Sequence, residues 1–115
     1  MGKSAKYEDL QFKVDLLLHI CDMKKYPFSK MVIVKELTEK EYKEVMVLIE
    51  DLDRSFKEQK EEGLLNFESL LIQFVGLLPE KLHVEKTLQA LKEEGYAPSL
   101  MKILMEHHQQ FTKNS

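Results

Sequence analysis

Turn-forming and cross-linking residues are scarce in this chain of 115 residues, and each scarcity excludes a class of protein. Four Gly and three Pro exclude collagen-like and low-complexity chains. They are also too few for a β-sandwich, whose many short strands need turn residues between them. The single cysteine excludes an intramolecular disulfide, which a small extracellular domain often needs.

Long apolar runs and targeting segments are also missing. No uninterrupted apolar run exceeds a few residues, so we expect no membrane span and no membrane partner. The N-terminal residues are polar and contain no apolar core of a secretion signal. Together with the lack of disulfides, these observations predict a cytoplasmic protein.

Positive charge is in deficit, and arginine is almost absent. The chain has 17 basic and 20 acidic side chains, a formal charge of −3, and Arg54 is its only arginine. The deficit is spread over both halves of the chain, so neither half offers a basic footprint for nucleic acid. Arginine is the residue best suited to phosphate and guanine contacts. We therefore expect that nucleic acid is not the partner.

Apolar residues recur at helical spacing through most of the chain, which predicts an all-α fold. The segment 28–36 contains a β-branched run that would also suit a strand, but one strand without a partner cannot form a sheet. We predict a multihelical bundle of five or six helices with one long central helix, in a single domain of residues 1–115 with frayed tails at 1–6 and 112–115. The predicted helices are 7–23, 28–36, 39–62, 67–78, 84–94 and 98–111.

The boundaries of these helices follow from residues that start or stop a helix. Thr38 and Glu41 form a capping box at the start of the long helix, and Gly63 ends it. Asn66 is expected to cap the following helix. Gly95 ends the fifth helix, and Pro98 is favoured in the first turn of the last one.

Two predicted helices, 7–23 and 39–62, carry apolar stripes of about two heptads, and each has further apolar residues beside its stripe. One side can pack inside the subunit while another is covered by a partner, so we predict a homo-oligomer, a dimer or a trimer. The alternative is a monomer in which the other helices cover both stripes. The predicted oligomer interface consists of Leu10, Val14, Leu17, Tyr42, Val45, Ile49, Leu52 and Phe56.

The sequence shows no constellation that carries catalysis, so we expect a protein that is not an enzyme and has no catalytic, cofactor-binding or metal-binding residues. Cys21 lies in an apolar stretch, which predicts a small buried side chain. His107 and His108 are adjacent and point about 100° apart on a helix, so they cannot hold one metal together. Gly76 lies within an apolar helix, where we expect it to allow close packing of a neighbour.

Residues 84–111 form two helices joined by a short turn that contains glycine, which is the skeleton of a helix-turn-helix. A DNA-binding transcriptional regulator is therefore the alternative function. The segment that would read the bases, Ser99 to Met105, offers one lysine and no arginine or asparagine. The favoured function is self-assembly and protein–protein interaction without catalysis, with the chain itself as partner and another protein as a further candidate.

The order of short motifs in this chain resembles a known family. The motifs are Cys21-Asp22-Met23, Tyr26-Pro27-Phe28, Gly63, Phe67-Glu68-Ser69-Leu70-Leu71, Glu80-Lys81-Leu82, Thr87-Leu88-Gln89-Ala90-Leu91 and Gly95. Over about residues 8–111 the chain is similar to the YhaI-like proteins of bacilli, which are small proteins of unknown function. The resemblance implies a multihelical, self-associating protein intertwined with its partner subunits, with no assigned activity, cofactor or catalytic residues.

Overall fold

Helices account for nearly all of the protein. The computed structural model describes the backbone of residues 2–113 and the side chains of residues 6–112, and within these residues it contains six α-helices and no strand. The all-α prediction is confirmed. The helices are α1 (Gly2–Ile20), α2 (Pro27–Val34), α3 (Glu39–Glu62), α4 (Phe67–Leu77), α5 (Val84–Glu94) and α6 (Pro98–Lys113).

Helices α3, α4 and α6 begin, and α3 and α5 end, where the residues that start or stop a helix predict. The Thr38 Oγ1 accepts a hydrogen bond from the Glu41 N–H at 3.1 Å, and the Thr38 N–H donates to the Glu41 carboxylate at 2.9 Å. Gly63 closes α3 in the left-handed conformation with φ 72°, and Gly95 closes α5 in the same way with φ 96°. Asn66 caps α4 through the Ser69 N–H at 3.0 Å. These contacts are local in sequence, which is why the boundaries are readable there.

The boundaries of the first two helices differ from the prediction. α1 ends at Ile20 rather than at residue 23, because Asp22 accepts from the Lys24 N–H and opens a short 3-10 turn, Met23–Lys25. α2 ends at Val34, and Glu36 has a φ of 55° that no helix can contain. Helix α1 also reaches back to Gly2 and α6 forward to Lys113, into the segments predicted to fray. Residues 1, 114 and 115 lie outside the described residues.

The hydrophobic core is built by α2 to α6. Helix α5 packs closely on α6 and on α2, while α4 packs on both α3 and α6. Phe28 is fully buried between the rings of Tyr42 and Tyr96, at centroid distances of 6.4 and 6.2 Å. The core therefore joins the long helix to the C-terminal helices and to α2. Its fully buried side chains are Phe28, Val45, Phe74, Leu88, Leu91, Leu100, Met101, Leu104 and Thr87.

Helix α2 is attached to this core by hydrogen bonds as well as by Phe28. The Glu94 carboxylate, at the end of α5, accepts from the Ser29 N–H at 2.9 Å and from the Ser29 hydroxyl at 2.7 Å. It therefore satisfies a free N–H of the first turn of α2, which Pro27 opens without a side-chain cap from Tyr26. Two segments 65 residues apart are joined at this point.

Helix α1 makes only marginal contact with the rest of the protein. It is not among the closely packed helix pairs, and six of its large apolar side chains are exposed. The Cα radius of gyration is 16.9 Å, against about 13 Å for a compact domain of this length. The molecule measures 58 × 30 × 24 Å along its principal axes and is therefore elongated.

Candidate interaction surface

The predicted interface residues of α1 lie on the surface of the subunit. Leu10 is 61% exposed and Leu17 is 55% exposed, while Val14 is half-buried. The side of α1 that carries Tyr7, Leu10 and Val14 faces Ile33 and Leu37 across an open gap of about 470 Å³. The subunit therefore covers this stripe only in part.

A second apolar stripe lies on another side of α1 and was not among the predicted interface residues. Phe12, Leu16 and Ile20 are spaced four residues apart and are 64%, 49% and 72% exposed. At 100° per residue, this stripe is centred about 130° from the stripe of Leu10, Val14 and Leu17. Plotting the sequence around the helix axis separates the two groups. The second stripe could therefore have been found from the sequence, but the prediction treated all of these residues as one wide apolar face. Helix α1 thus carries two apolar stripes, and its own subunit buries neither.

The predicted interface residues of α3 occupy a different environment. Val45, Ile49, Leu52 and Phe56 are at most 5% exposed and form part of the core of their own subunit. Tyr42 is half-buried against Phe28. The structure therefore does not bring the two predicted stripes together, and the α3 stripe is already covered without a partner.

The outer side of α3 forms a second apolar surface together with the end of α4. An open groove of about 670 Å³ runs between these helices, and Val47, Leu48 and Leu77 are its apolar lining. Val47 is 54% exposed and Leu77 is 66% exposed, whereas Leu48 reaches into the core. The rim of the groove is charged and consists of Glu39, Lys40, Lys43, Glu44 and Asp51.

Two predictions about single residues are wrong. Cys21 is exposed rather than buried, because it follows the end of α1 and α1 is not covered by the subunit. Gly76 does not admit a neighbouring helix, since a Cβ built there would have nothing within 4 Å. Both predictions used apolar neighbours in sequence as evidence of burial. Leu17 and Ile20 beside Cys21 are exposed, and Gly76 lies between the exposed Val75 and Leu77 although Phe74 on the same helix is buried.

Two of the histidines have structural roles, one at the start of a helix and one in aromatic packing. His83 caps α5, with its Nδ1 accepting from the Lys86 N–H at 3.4 Å. His107 packs on the Phe67 ring with centroids 5.3 Å apart, whereas the Nδ1 of His108 is buried without a hydrogen bond. Among residues 6–112, no three histidine, cysteine or acidic side chains are grouped as metal ligands.

Two ionisable groups at helix junctions have displaced pKa values. A hydrogen bond from the Lys81 Nζ to the Glu41 carboxylate, 2.8 Å long, lowers the pKa of Glu41, and the Thr38 N–H adds to this effect. The same Lys81 amine donates to the Glu36 carbonyl at 3.0 Å and holds the link between α2 and α3. Burial raises the pKa of Tyr96, with the neighbouring Tyr42 and Glu94 acting in the same direction. The Lys81 contacts lie beside the gap that Tyr7, Leu10 and Val14 face, since Glu36 and Thr38 also line that gap.

Within the part of the chain that the structure describes, every helix is too short or too polar to cross a lipid bilayer. The fold and the surfaces together define an elongated all-α protein with two uncovered apolar surfaces, one on α1 and one between α3 and α4.

Residues 1–109 match the family described as "Protein of unknown function (DUF1878)", and the chain belongs to this family. The match includes all of α1 to α5 and most of α6, so both apolar surfaces lie within the family domain. The family description assigns no activity.

Proposed function

We propose that the protein functions by protein–protein interaction, first with copies of itself, and without catalysis. The observation that carries this proposal is the exposure of α1. Tyr7, Leu10, Phe12, Leu16, Leu17 and Ile20 are each between 49% and 72% exposed. Soluble monomers rarely expose a contiguous apolar patch of more than a few hundred Å² unless a partner covers it.

The energetic reason for association is the burial of these side chains. Moving a leucine or phenylalanine side chain from water into a packed interface is worth about 1.5–3 kcal/mol. Part of this gain offsets the loss of rotational and translational freedom on binding, which costs at least about 4 kcal/mol. Six such side chains on one helix are enough to leave a surplus, so a dimer or trimer is expected at micromolar concentration.

The mass of the protein in solution tests the proposal. Light scattering should give a multiple of 13.6 kDa at micromolar concentration, and Leu16→Asp should shift the mass towards that of a single chain. The matched control is Leu64→Asp, because Leu64 is 72% exposed but lies outside α1. A mass near that of one chain which persists on concentrating the wild-type protein would contradict self-association.

We expect Ile49→Asp to unfold the protein rather than only dissociate an oligomer, because Ile49 is buried in the core of its own chain. Ile49 is 5% exposed, so the new carboxylate would be buried without a partner inside the subunit. Circular dichroism should therefore report loss of helix for Ile49→Asp but retention of helix for Leu16→Asp. This difference separates failure to fold from failure to associate.

We also propose a narrower family and a cellular compartment for the protein. We take the domain family of this chain to include the YhaI-like proteins that the sequence resembles, and the cytoplasm to be its compartment. The intertwining of subunits is part of the same proposal, since a helix that its own subunit leaves uncovered can be covered by another subunit.

DNA binding through α5 and α6 is the second candidate. Gly95 and Ala97 both have positive φ and produce a tight turn between the two helices, as a helix-turn-helix requires. The exposed start of α6 offers Ser99 and Lys102 to a phosphate backbone. A titration of DNA binding with salt is the test. Affinity that falls steeply with salt would support a regulator, and no binding at low salt would exclude it.

A further inference from the structure

We propose that α1 of one copy lies in the groove between α3 and α4 of another copy, parallel to α3, with Phe12, Leu16 and Ile20 facing the groove. This inference rests on the proposed self-association and names the surface that receives α1. It concerns a contact between unlike surfaces, one on each copy.

The area of α1 indicates that packing two α1 helices against each other is not sufficient. A helix of 19 residues is about 28 Å long and about 10 Å across. One α1–α1 contact would therefore cover only about 560 Å² on the two helices together, whereas specific interfaces bury about 1,200–2,000 Å². Two contacts between α1 and a groove double the covered area to about 1,120 Å², close to the lower end of that range. Because the two apolar stripes lie on different sides of α1, burying both requires one surface on each side of the helix.

The groove matches the free stripe of α1 in length and in character. Phe12, Leu16 and Ile20 span eight residues, or about 12 Å of helix. The groove runs along α3 from Glu39 to Asp51, about 18 Å, with Val47 and Leu77 exposed in it. The other stripe of α1 already faces Ile33 and Leu37 of its own subunit, so the Phe12 stripe is the one left for a partner.

The charges beside the two surfaces fix the direction of the docked helix. Asp9 lies in line with the Phe12 stripe at its N-terminal end and Lys13 lies one turn later beside the stripe. Lys40 and Glu44 lie one turn apart on the rim of the groove. In a parallel arrangement Asp9 is level with Lys40 and Lys13 with Glu44, so opposite charges meet. The antiparallel arrangement places like charges together.

The four charges of this arrangement are available for such contacts. Among the side chains of residues 6–112, Asp9, Lys13, Lys40 and Glu44 take part in none of the ion pairs that the subunit forms. The same register brings Leu16 level with Val47, at the middle of both surfaces. Because the contact joins unlike surfaces, it closes either as a reciprocal exchange in a dimer or as a ring in a trimer.

The first experiment compares variants on the two sides of the proposed contact. Val47→Asp and Leu77→Asp change exposed side chains, so each subunit should keep its helical circular dichroism signal. Sedimentation equilibrium should show the affinity between copies falling at least tenfold for both variants and for Leu16→Asp. The control Leu64→Asp should associate as the wild type does.

The outcomes separate this inference from the proposal on which it rests. If Leu16→Asp dissociates the oligomer while Val47→Asp and Leu77→Asp resemble the control, self-association through α1 stands and the groove is excluded as its docking surface. If Leu16→Asp also associates normally, the inference is overturned because the Phe12 stripe does not carry the contact, whereas only a wild-type protein that stays a single chain contradicts self-association itself. Loss of association in all three variants supports the groove.

The second experiment reverses charges and tests the parallel register. The variant Lys40→Glu with Glu44→Lys should associate about tenfold more weakly, because each pair becomes a like-charge contact. Adding Asp9→Lys with Lys13→Glu to the same chain should restore the wild-type affinity. If the fourfold variant is as weak as the twofold variant, the register is wrong and the inference is overturned.

Discussion

Helices α1 and α3 carry apolar stripes of the same spacing, yet one stripe is exposed and the other is buried. Val45, Ile49, Leu52 and Phe56 of α3 lie in the core beneath α4 and the C-terminal helices. The stripe of α1 has no comparable neighbour within the subunit. Periodicity in the sequence therefore indicates which side of a helix is apolar, whereas distant segments or another chain decide what buries that side.

The largest difference between the two helices should appear in the free energy of unfolding when one leucine in each is replaced by alanine. Leu52→Ala should lower the free energy of unfolding by about 2–5 kcal/mol, because it leaves a cavity in a closed core. Leu10→Ala should change it by no more than about 0.5 kcal/mol in dilute protein, since Leu10 is exposed in the subunit. Urea unfolding at several protein concentrations measures both effects.

The dependence on concentration is the control for that comparison. The cost of Leu10→Ala should grow as the protein is concentrated and α1 becomes covered, while the cost of Leu52→Ala should stay constant. Equal costs for the two variants in dilute protein would show that α1 is packed within the subunit after all.

The next largest effect on stability is expected at α2, the helix that connects α1 to the core. Glu94→Ala removes the carboxylate that accepts two hydrogen bonds from Ser29. Hydrogen bonds to a charged group contribute about 1.5–3 kcal/mol, so the variant should lose stability of that order in urea unfolding. Glu93→Ala is the matched control, because its carboxylate accepts only from the exposed Gln89. The two variants should not be equally stable.

A smaller effect is expected at the cap of α3. Thr38→Ala removes the oxygen that accepts from the Glu41 N–H and should cost about 1 kcal/mol of stability. Thr38→Ser keeps the oxygen and should recover most of that loss. Thermal unfolding followed by circular dichroism is sufficient, and a Thr38→Ala melting curve that coincides with the wild-type curve would contradict a contribution from the cap.

The smallest effect should be the pH dependence that arises from Glu41. Because the folded protein lowers the pKa of Glu41, this carboxylate stabilises the fold above its ordinary pKa of 4.5. That contribution is lost as the pH falls below 4.5 and through the lowered pKa of the folded state. Lys81→Met removes the main cause and should flatten the loss of stability on the acid side. An unchanged acid profile in this variant would mean that Lys81 does not set the pKa.

The helices from residue 39 onward could be predicted from sequence because their boundaries depend on local hydrogen bonds. The capping box at Thr38 and the left-handed glycines at 63 and 95 act within one turn of the residues they terminate. The ends of α1 and α2 could not be placed as well, because the short 3-10 turn and the positive φ of Glu36 leave no comparable mark in the sequence.

The candidate surface could be predicted only in part. The sequence indicated that Leu10, Val14 and Leu17 belong to an apolar stripe, and the structure places them outside the core. It could not show that Val45 and Ile49 would be covered by their own subunit, since that depends on helices 20 to 50 residues away in the chain. The groove combines residues of two helices and was not visible as a pattern in either.

The elongated outline of the subunit has a practical consequence for measuring its assembly. A particle of 58 × 30 × 24 Å has a larger Stokes radius than a sphere of the same mass. A single chain would therefore leave a gel-filtration column early, at the volume of a heavier globular standard. A retention volume alone would therefore overestimate the mass of a single chain, whereas scattered-light intensity or sedimentation equilibrium reports its mass whatever its shape.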